Sequence, residues 1–187
     1  VMVSMEGSER TDEVLAMYRR LSGRFEGAVG ITLQAHLRRT PDDLEDALRR
    51  PGKIRLVKGA FEEPEEVAMA RGRDLDDAYR SLLERLLLSA HPTSVSTHDP
   101  EILEHADRFV RENGLEAEAA EFEMLYGVQE ELLEKMRALQ RRAGELTRCT
   151  STRRTGPSHT TAAFSVALRS IRCWGGSTAM TTTVCKE

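Results

Sequence analysis

Apolar runs of strand length alternate with amphipathic helical segments five times along this chain, and that rhythm limits the fold more than any other feature. The expected strands are Val1–Met5, Ala28–Gln34, Lys53–Lys58, Thr93–Thr97 and Ala120–Leu125. Between them fall helical stripes at three- and four-residue spacing. Val14, Leu15, Tyr18 and Leu21 form one, after Thr11 as a predicted N-cap. A second follows Pro41 and carries Leu44, Ala47 and Leu48. The strongest starts at Asp74 and carries Leu75, Tyr79, Leu82, Leu83 and Leu86. Another, on Ile102, Leu103, Ala106 and Val110, opens at Pro100 with Asp99 as its cap. The last runs from Val128 to about Arg142. Regular strand–helix alternation predicts an α/β fold with a parallel sheet, either doubly wound or closed as a barrel.

Polar residues gather at the C-terminal end of each predicted strand: Glu6, Gln34, Arg55 with Lys58, Thr97-His98-Asp99, and Glu121 through Tyr126. Chemistry sits at that face in a (β/α)8 barrel, so the fold expected here is of that type. A complete barrel needs about 250 residues, and 187 residues with about five βα units predict an incomplete one. The opening Val1-Met2-Val3 reads as the interior of a strand, which predicts that the parent domain starts earlier.

Composition divides the chain in two. Residues 1–145 carry 21 Lys and Arg against 30 Asp and Glu, whereas 146–187 carry 6 against the single Glu187. Cys149, Cys173, Cys185 and Trp174 all lie in the second part, where Thr is also abundant. The expected organisation is a partial barrel over 1–145 and a divergent, poorly ordered tail over 146–187. An out-of-frame end to the gene would account for so abrupt a shift. The acidic body disfavours nucleic acid as a partner. Three widely spaced cysteines match neither a zinc site nor a disulfide framework. The sequence shows no signal peptide and no apolar run that would span a bilayer.

The chemically richest stretch is Arg55-Leu56-Val57-Lys58-Gly59-Ala60-Phe61. Two cations at the end of an apolar strand are costly to desolvate unless something anionic or electron-rich meets them. Gly59 and Ala60 leave room for such a partner at the backbone. The competing reading is neutralisation by acids of the chain itself. Glu121 and Glu123, two apart on one side of a strand, suggest acid–base chemistry or a metal, and the preferred reading is that one of them neutralises the strand-end cations across the barrel. Gln34 offers amide donors and an acceptor to the edge of a heterocycle. Thr97 and His98 stand at a helix start suited to an anion. His36 reads as a plain rim residue. No Walker or dinucleotide-binding glycine motif occurs.

In order, Met5-Glu6-Gly7-Ser8, Gly30 through Arg39, Arg55 through Phe61, Ser96-Thr97-His98-Asp99 and Glu121 through Gly127 resemble the proline dehydrogenase family over roughly residues 1–140. The resemblance implies a distorted (β/α)8 barrel holding FAD at the C-terminal face and oxidising L-proline to 1-pyrroline-5-carboxylate. It implies flavin contacts from Met5, Gln34, Arg55, Val57, Lys58, Gly59, Ala60, Thr97 and His98. Arg55 would be the catalytic cation beside the flavin ring, stabilising charge that develops on reduction. Leu56 and Phe61 would line the proline pocket, with Phe61 where the family usually has Tyr. No metal is implied. The partners implied are L-proline and an electron acceptor such as a quinone, with a cytoplasmic or membrane-peripheral location.

Departures from the family pattern predict impaired turnover. Ser4 stands where the family has an active-site Asp, and the earlier strand with a substrate-binding Lys is missing. The family's Tyr-x-x-Arg-Arg-x-x-Glu pattern, whose arginines clamp the proline carboxylate, does not occur. Two rival readings are a catalytically inactive remnant, and a metal-dependent barrel hydrolase or lyase using His36, His98 and Glu123.

Overall fold

The computed structural model describes residues 1–116, 119–125, 127–142 and 149–152. The tail beyond residue 152, with its expected lack of order, lies outside the described residues. Six strands form a single parallel sheet: β1 (Met2–Val3), β2 (Gly30–Gln34), β3 (Ile54–Val57), β4 (Thr93–Ser96), β5 (Ala120–Leu125) and β6 (Cys149–Thr152). They stand side by side in chain order. A doubly wound sheet reverses its strand order part-way. The unbroken order found here is that of a barrel wall, in which right-handed crossovers place every helix on the same side.

The helices are α1 (Thr11–Arg24), α2 (Thr40–Ala47), α3 (Arg73–Leu88), α4 (Pro100–Glu112) and α5 (Glu130–Arg142). Their stripes bury as the periodicity requires: Leu75, Tyr79, Leu83 and Leu86 of α3 are 3% exposed or less. Register sorts the strand residues onto two faces. Leu33, Leu56, Val95 and Phe122 align across β2 to β5 and join the helix-side core. A fully buried side chain of this kind contributes about 1.5–3 kcal/mol. The alternate positions, Thr32, Arg55, Ser94 and Glu121, form a second row facing the other way.

Strand interiors agree with the sequence reading, and strand ends are shorter. Val1–Met5 contracts to Met2–Val3, because only these two residues have ladder partners on β2. Thr11 is not a cap. The chain enters α1 through a 3-10 turn at Ser8–Arg10, so Thr11 becomes its first helical residue, buried and with no partner for its Oγ1. Asp99 does cap α4: its Oδ1 accepts from the backbone N–H groups of Glu101 at 3.0 Å and Ile102 at 3.4 Å. Cys149–Thr152 pairs with β5, so the sheet continues four residues into the segment that composition sets apart.

Candidate functional site at the strand ends

Parallel strands bring Gln34, Lys58, Thr97 and His98 to the C-terminal end of the sheet although 64 positions separate the first from the last, whereas Arg55, the second residue of β3, lies lower, in register with Thr32 and Ser94. Gln34, 3% exposed at the end of β2, donates from Nε2 to the Glu6 carbonyl at 2.8 Å. That bond ties the β1 loop, with buried Met5, to the site. Val57 ends β3 half-buried and Ala60 is exposed just beyond it. Thr97 Oγ1 accepts from the Asp99 N–H at 3.1 Å and shapes the turn into α4.

Both cations of β3 meet acids. Arg55, 9% exposed, places a terminal guanidinium nitrogen 2.6 Å from Glu123 Oε2. The pair reaches from β3 to β5 across β4, where the residues on that face are Ser94 and Ser96. Only side chains this small leave the passage open. Lys53 and Glu121 make a parallel ion pair one step earlier. The reading in which Glu121 and Glu123 neutralise strand cations across the sheet therefore holds in the geometry. Lys58 donates to Asp76 at 2.6 Å and Asp99 at 2.7 Å. Burial works against its charge, but these two hydrogen bonds outweigh that and raise its pKa. Burial likewise acts to raise the Asp99 carboxyl, and Lys58 with the two capping N–H groups brings it below its ordinary value.

Among the described residues seven buried side-chain polar atoms lack a partner, and four of them lie on these strands and strand ends, the others being Thr11 Oγ1, the Tyr18 hydroxyl and His36 Nε2. Thr32 Oγ1, Arg55 Nε and Ser94 Oγ are buried without a partner, and these three residues are consecutive neighbours in one row. Buried orphans are uncommon and ask for an explanation. His98 Nε2 accepts from the Leu125 N–H at 3.1 Å, which fixes the proton on Nδ1, and that atom is buried and unpartnered. Burial depresses the His98 pKa, consistent with a neutral ring that serves as an acceptor.

Some expected residues are placed elsewhere. Leu56 is wholly buried on the helix side, opposite Arg55, as strand alternation dictates; its carbonyl accepts from the Tyr79 hydroxyl at 2.9 Å. Phe61 is 46% exposed in the loop after β3. The structure does not bring these two together with Arg55 on one face. His36 is not a rim residue. It is 4% exposed and its imidazole lies against Gly59, where it fills the space a side chain would need. Burial lowers the His36 pKa, and Glu63 partly offsets this. His36, His98 and Glu123 have separate neighbours, and among the described residues no three His, Cys, Asp or Glu side chains are grouped to hold a metal. A cavity of about 420 Å³ opens nearby between Arg38, Glu65, Met69, Arg71 and the start of α3. None of the expected site residues lines it.

Sequence reasoning missed Asp76 as a partner of Lys58, and the clasp in which Ser8 donates through N–H and Oγ to Glu63 at 2.7 and 2.5 Å. Neither has a local signature: Lys58 and Asp76 stand 18 residues apart at the two ends of the β3–α3 connection, and Ser8 and Glu63 come from different βα loops.

A parallel βα wall with Gln34, Lys58, Thr97 and His98 at its C-terminal strand ends, and a row of buried polar residues lower on the face turned away from the helices, defines the class: a barrel-type α/β protein with a polar site on its inner side. The chain belongs to the proline dehydrogenase family, whose sequence model matches residues 1–152. It is 39% identical over 142 residues to the proline dehydrogenase of Deinococcus radiodurans, covering 74% of this chain and 45% of that protein. Proline dehydrogenase 2 of Bacillus subtilis is 34% identical over 128 residues, covering 68% and 42%. The chain thus spans less than half the length of the curated relatives it matches. Among solved structures, proline utilization A of Bdellovibrio bacteriovorus, inactivated by N-propargylglycine, superposes with a TM-score of 0.71 at 22% identity, over 81% of this chain and 17% of that one. Proline utilization A of Bradyrhizobium japonicum gives 0.67 at 20% identity, over 81% and 17%. These last likenesses establish the fold, a TIM-barrel-like one.

Proposed function

We propose that this chain is the flavin-side portion of an FAD-dependent proline dehydrogenase, the substrate being L-proline and the product 1-pyrroline-5-carboxylate. The observation that carries the proposal is the row of orphaned polar atoms, Thr32 Oγ1, Arg55 Nε and Ser94 Oγ, with His98 Nδ1 at the neighbouring strand end. Such a set of donors matches the carbonyl and nitrogen acceptors along one edge of an isoalloxazine. FAD, when bound, supplies the acceptor for the hydride equivalent lost by proline. Gln34, Arg55, Val57, Lys58, Gly59, Ala60, Thr97, His98 and Met5 would hold it. Arg55 then contributes a fixed positive charge where the reduced ring becomes negative. Electrons pass on to an acceptor such as a quinone, in the cytoplasm or at a membrane surface; among the described residues no helix is long and apolar enough to cross a membrane.

This sequence carries no Tyr-x-x-Arg-Arg-x-x-Glu pattern and has Ser4 where the family resemblance implies an acid. The expected outcome is FAD binding with little proline turnover. FAD titration, followed by flavin fluorescence and by the rise in thermal midpoint, checks the first part. A chain that neither quenches nor is stabilised by FAD refutes the proposal. A proline:dye assay checks the second, and strong proline-dependent reduction of the dye would contradict the expected impairment.

A further inference from the structure

We infer that Glu123 is a positioning residue that holds Arg55 and offsets its charge, so that it sets the reduction potential of a flavin bound beside Arg55. This deepens the flavin reading above and rests on it. Three observations carry the inference. The Arg55–Glu123 contact is close, 2.6 Å, and both side chains are nearly out of solvent, at 11% and 6% exposure. In such surroundings a carboxylate acts strongly on a neighbouring cation. The contact uses a terminal nitrogen and leaves Arg55 Nε unpartnered, so the guanidinium is anchored at one end with a donor free at the other. Finally, β4 presents only Ser94 and Ser96 between the partners, so no other charged side chain of that strand intervenes on this face.

A guanidinium stabilises the anionic reduced ring. A carboxylate ion-paired with it cancels part of that field and makes reduction harder. Arg55 is thereby fixed in place at the cost of some of its electrostatic effect. Glu121 serves as the internal comparison. It is an acid on the same strand and face, two residues away, and is already neutralised by Lys53.

The test is the midpoint potential of the FAD-loaded chain, measured by equilibration with a reference dye. Glu123→Gln keeps the shape and an acceptor oxygen but removes the charge. It should favour the reduced flavin by about tenfold, which for two electrons is a shift of about 30 mV to more positive potential. Glu121→Gln should move the potential by less than a third of that. Glu123→Asp withdraws the carboxylate from Arg55 by one methylene and should shift the potential in the same direction by a smaller amount. It also decides the matter if Glu123→Gln fails to fold, because the charge is kept and only its distance from Arg55 changes. A potential unmoved by these variants, or moved equally by Glu121→Gln, overturns the inference and leaves the flavin reading standing. A parent chain that takes up no FAD overturns both.

Discussion

At Gly59 a single hydrogen atom in place of a side chain decides whether the strand end can form. Its φ of +116° is in the region that only glycine occupies readily, and a Cβ there would sit 1.6 Å from His36 Nδ1. Gly59→Ala therefore meets two costs, backbone strain of about 1–2 kcal/mol and a clash that forces the imidazole to move. A urea melt should show a loss of at least about 2 kcal/mol. Adding His36→Ala should restore only the part due to the clash. Full parental stability in the single variant would mean that ring and glycine are not in contact. The residue scale also shows where sequence reading succeeds at the site. Gln34, Lys58, Thr97 and His98 are legible because polar residues ending apolar strands are out of place unless a site needs them, and Arg55 because a cation inside an apolar strand needs a partner. The burial of His36 is not legible, because it depends on a glycine 23 positions away folding across it. That one of Glu121 and Glu123 meets a strand cation is legible from their spacing; that both do, Glu121 with Lys53 and Glu123 with Arg55, is not.

Helix α4 shows how an element is secured from outside its own sequence. Asp99 caps it through Oδ1 and binds Lys58 through Oδ2, while Lys58 also holds Asp76 in the first turn of α3. One ammonium thus joins the end of β3 to the starts of two helices. The two functions of Asp99 are separable. Asp99→Asn retains a capping oxygen and loses the ion pair, which is part-exposed and so is worth about 1 kcal/mol or less. Asp99→Ala loses both and should cost about 1 kcal/mol more. Chemical denaturation of the two variants checks this, and equal losses would show that the cap contributes nothing. Helix positions and strand interiors are readable from periodicity because burial imposes it on the sequence. Element ends are less so. The 3-10 entry to α1 and the two-residue length of β1 are set by neighbouring chain segments. β6 carries no hydrophobic pattern, and only its pairing with β5 makes it a strand.

Across the whole molecule, strand order identifies a barrel wall, and the charges buried in that wall set how its stability depends on pH. The sequence alone left a doubly wound sheet open as an alternative, because the helical stripes look alike in both folds; the unbroken order β1 to β6 decides between them. His36 and His98 are both held below the ordinary histidine value, in each case chiefly by burial. For such groups the unfolded chain binds more protons than the folded one in the window between the two pKa values. Their contribution is therefore complete above the unfolded value of about 6.5 and is lost as pH falls through the folded values. Asp46 and Asp99, lowered by arginine and lysine partners that outweigh burial, act in the same sense nearer pH 4. The thermal midpoint should accordingly be level from pH 8 to about 7, decline below about pH 6.5, and drop more steeply toward pH 4. A glutamine amide can still accept the Leu125 N–H but does not titrate, so His98→Gln should reduce the first decline to the share owed to His36 without removing the second. Calorimetry from pH 8 to pH 4 on parent and variant checks this. A parent midpoint constant down to pH 5 would show that neither imidazole is held neutral by the fold, and would contradict the reading of His98 Nε2 as the acceptor of the Leu125 N–H.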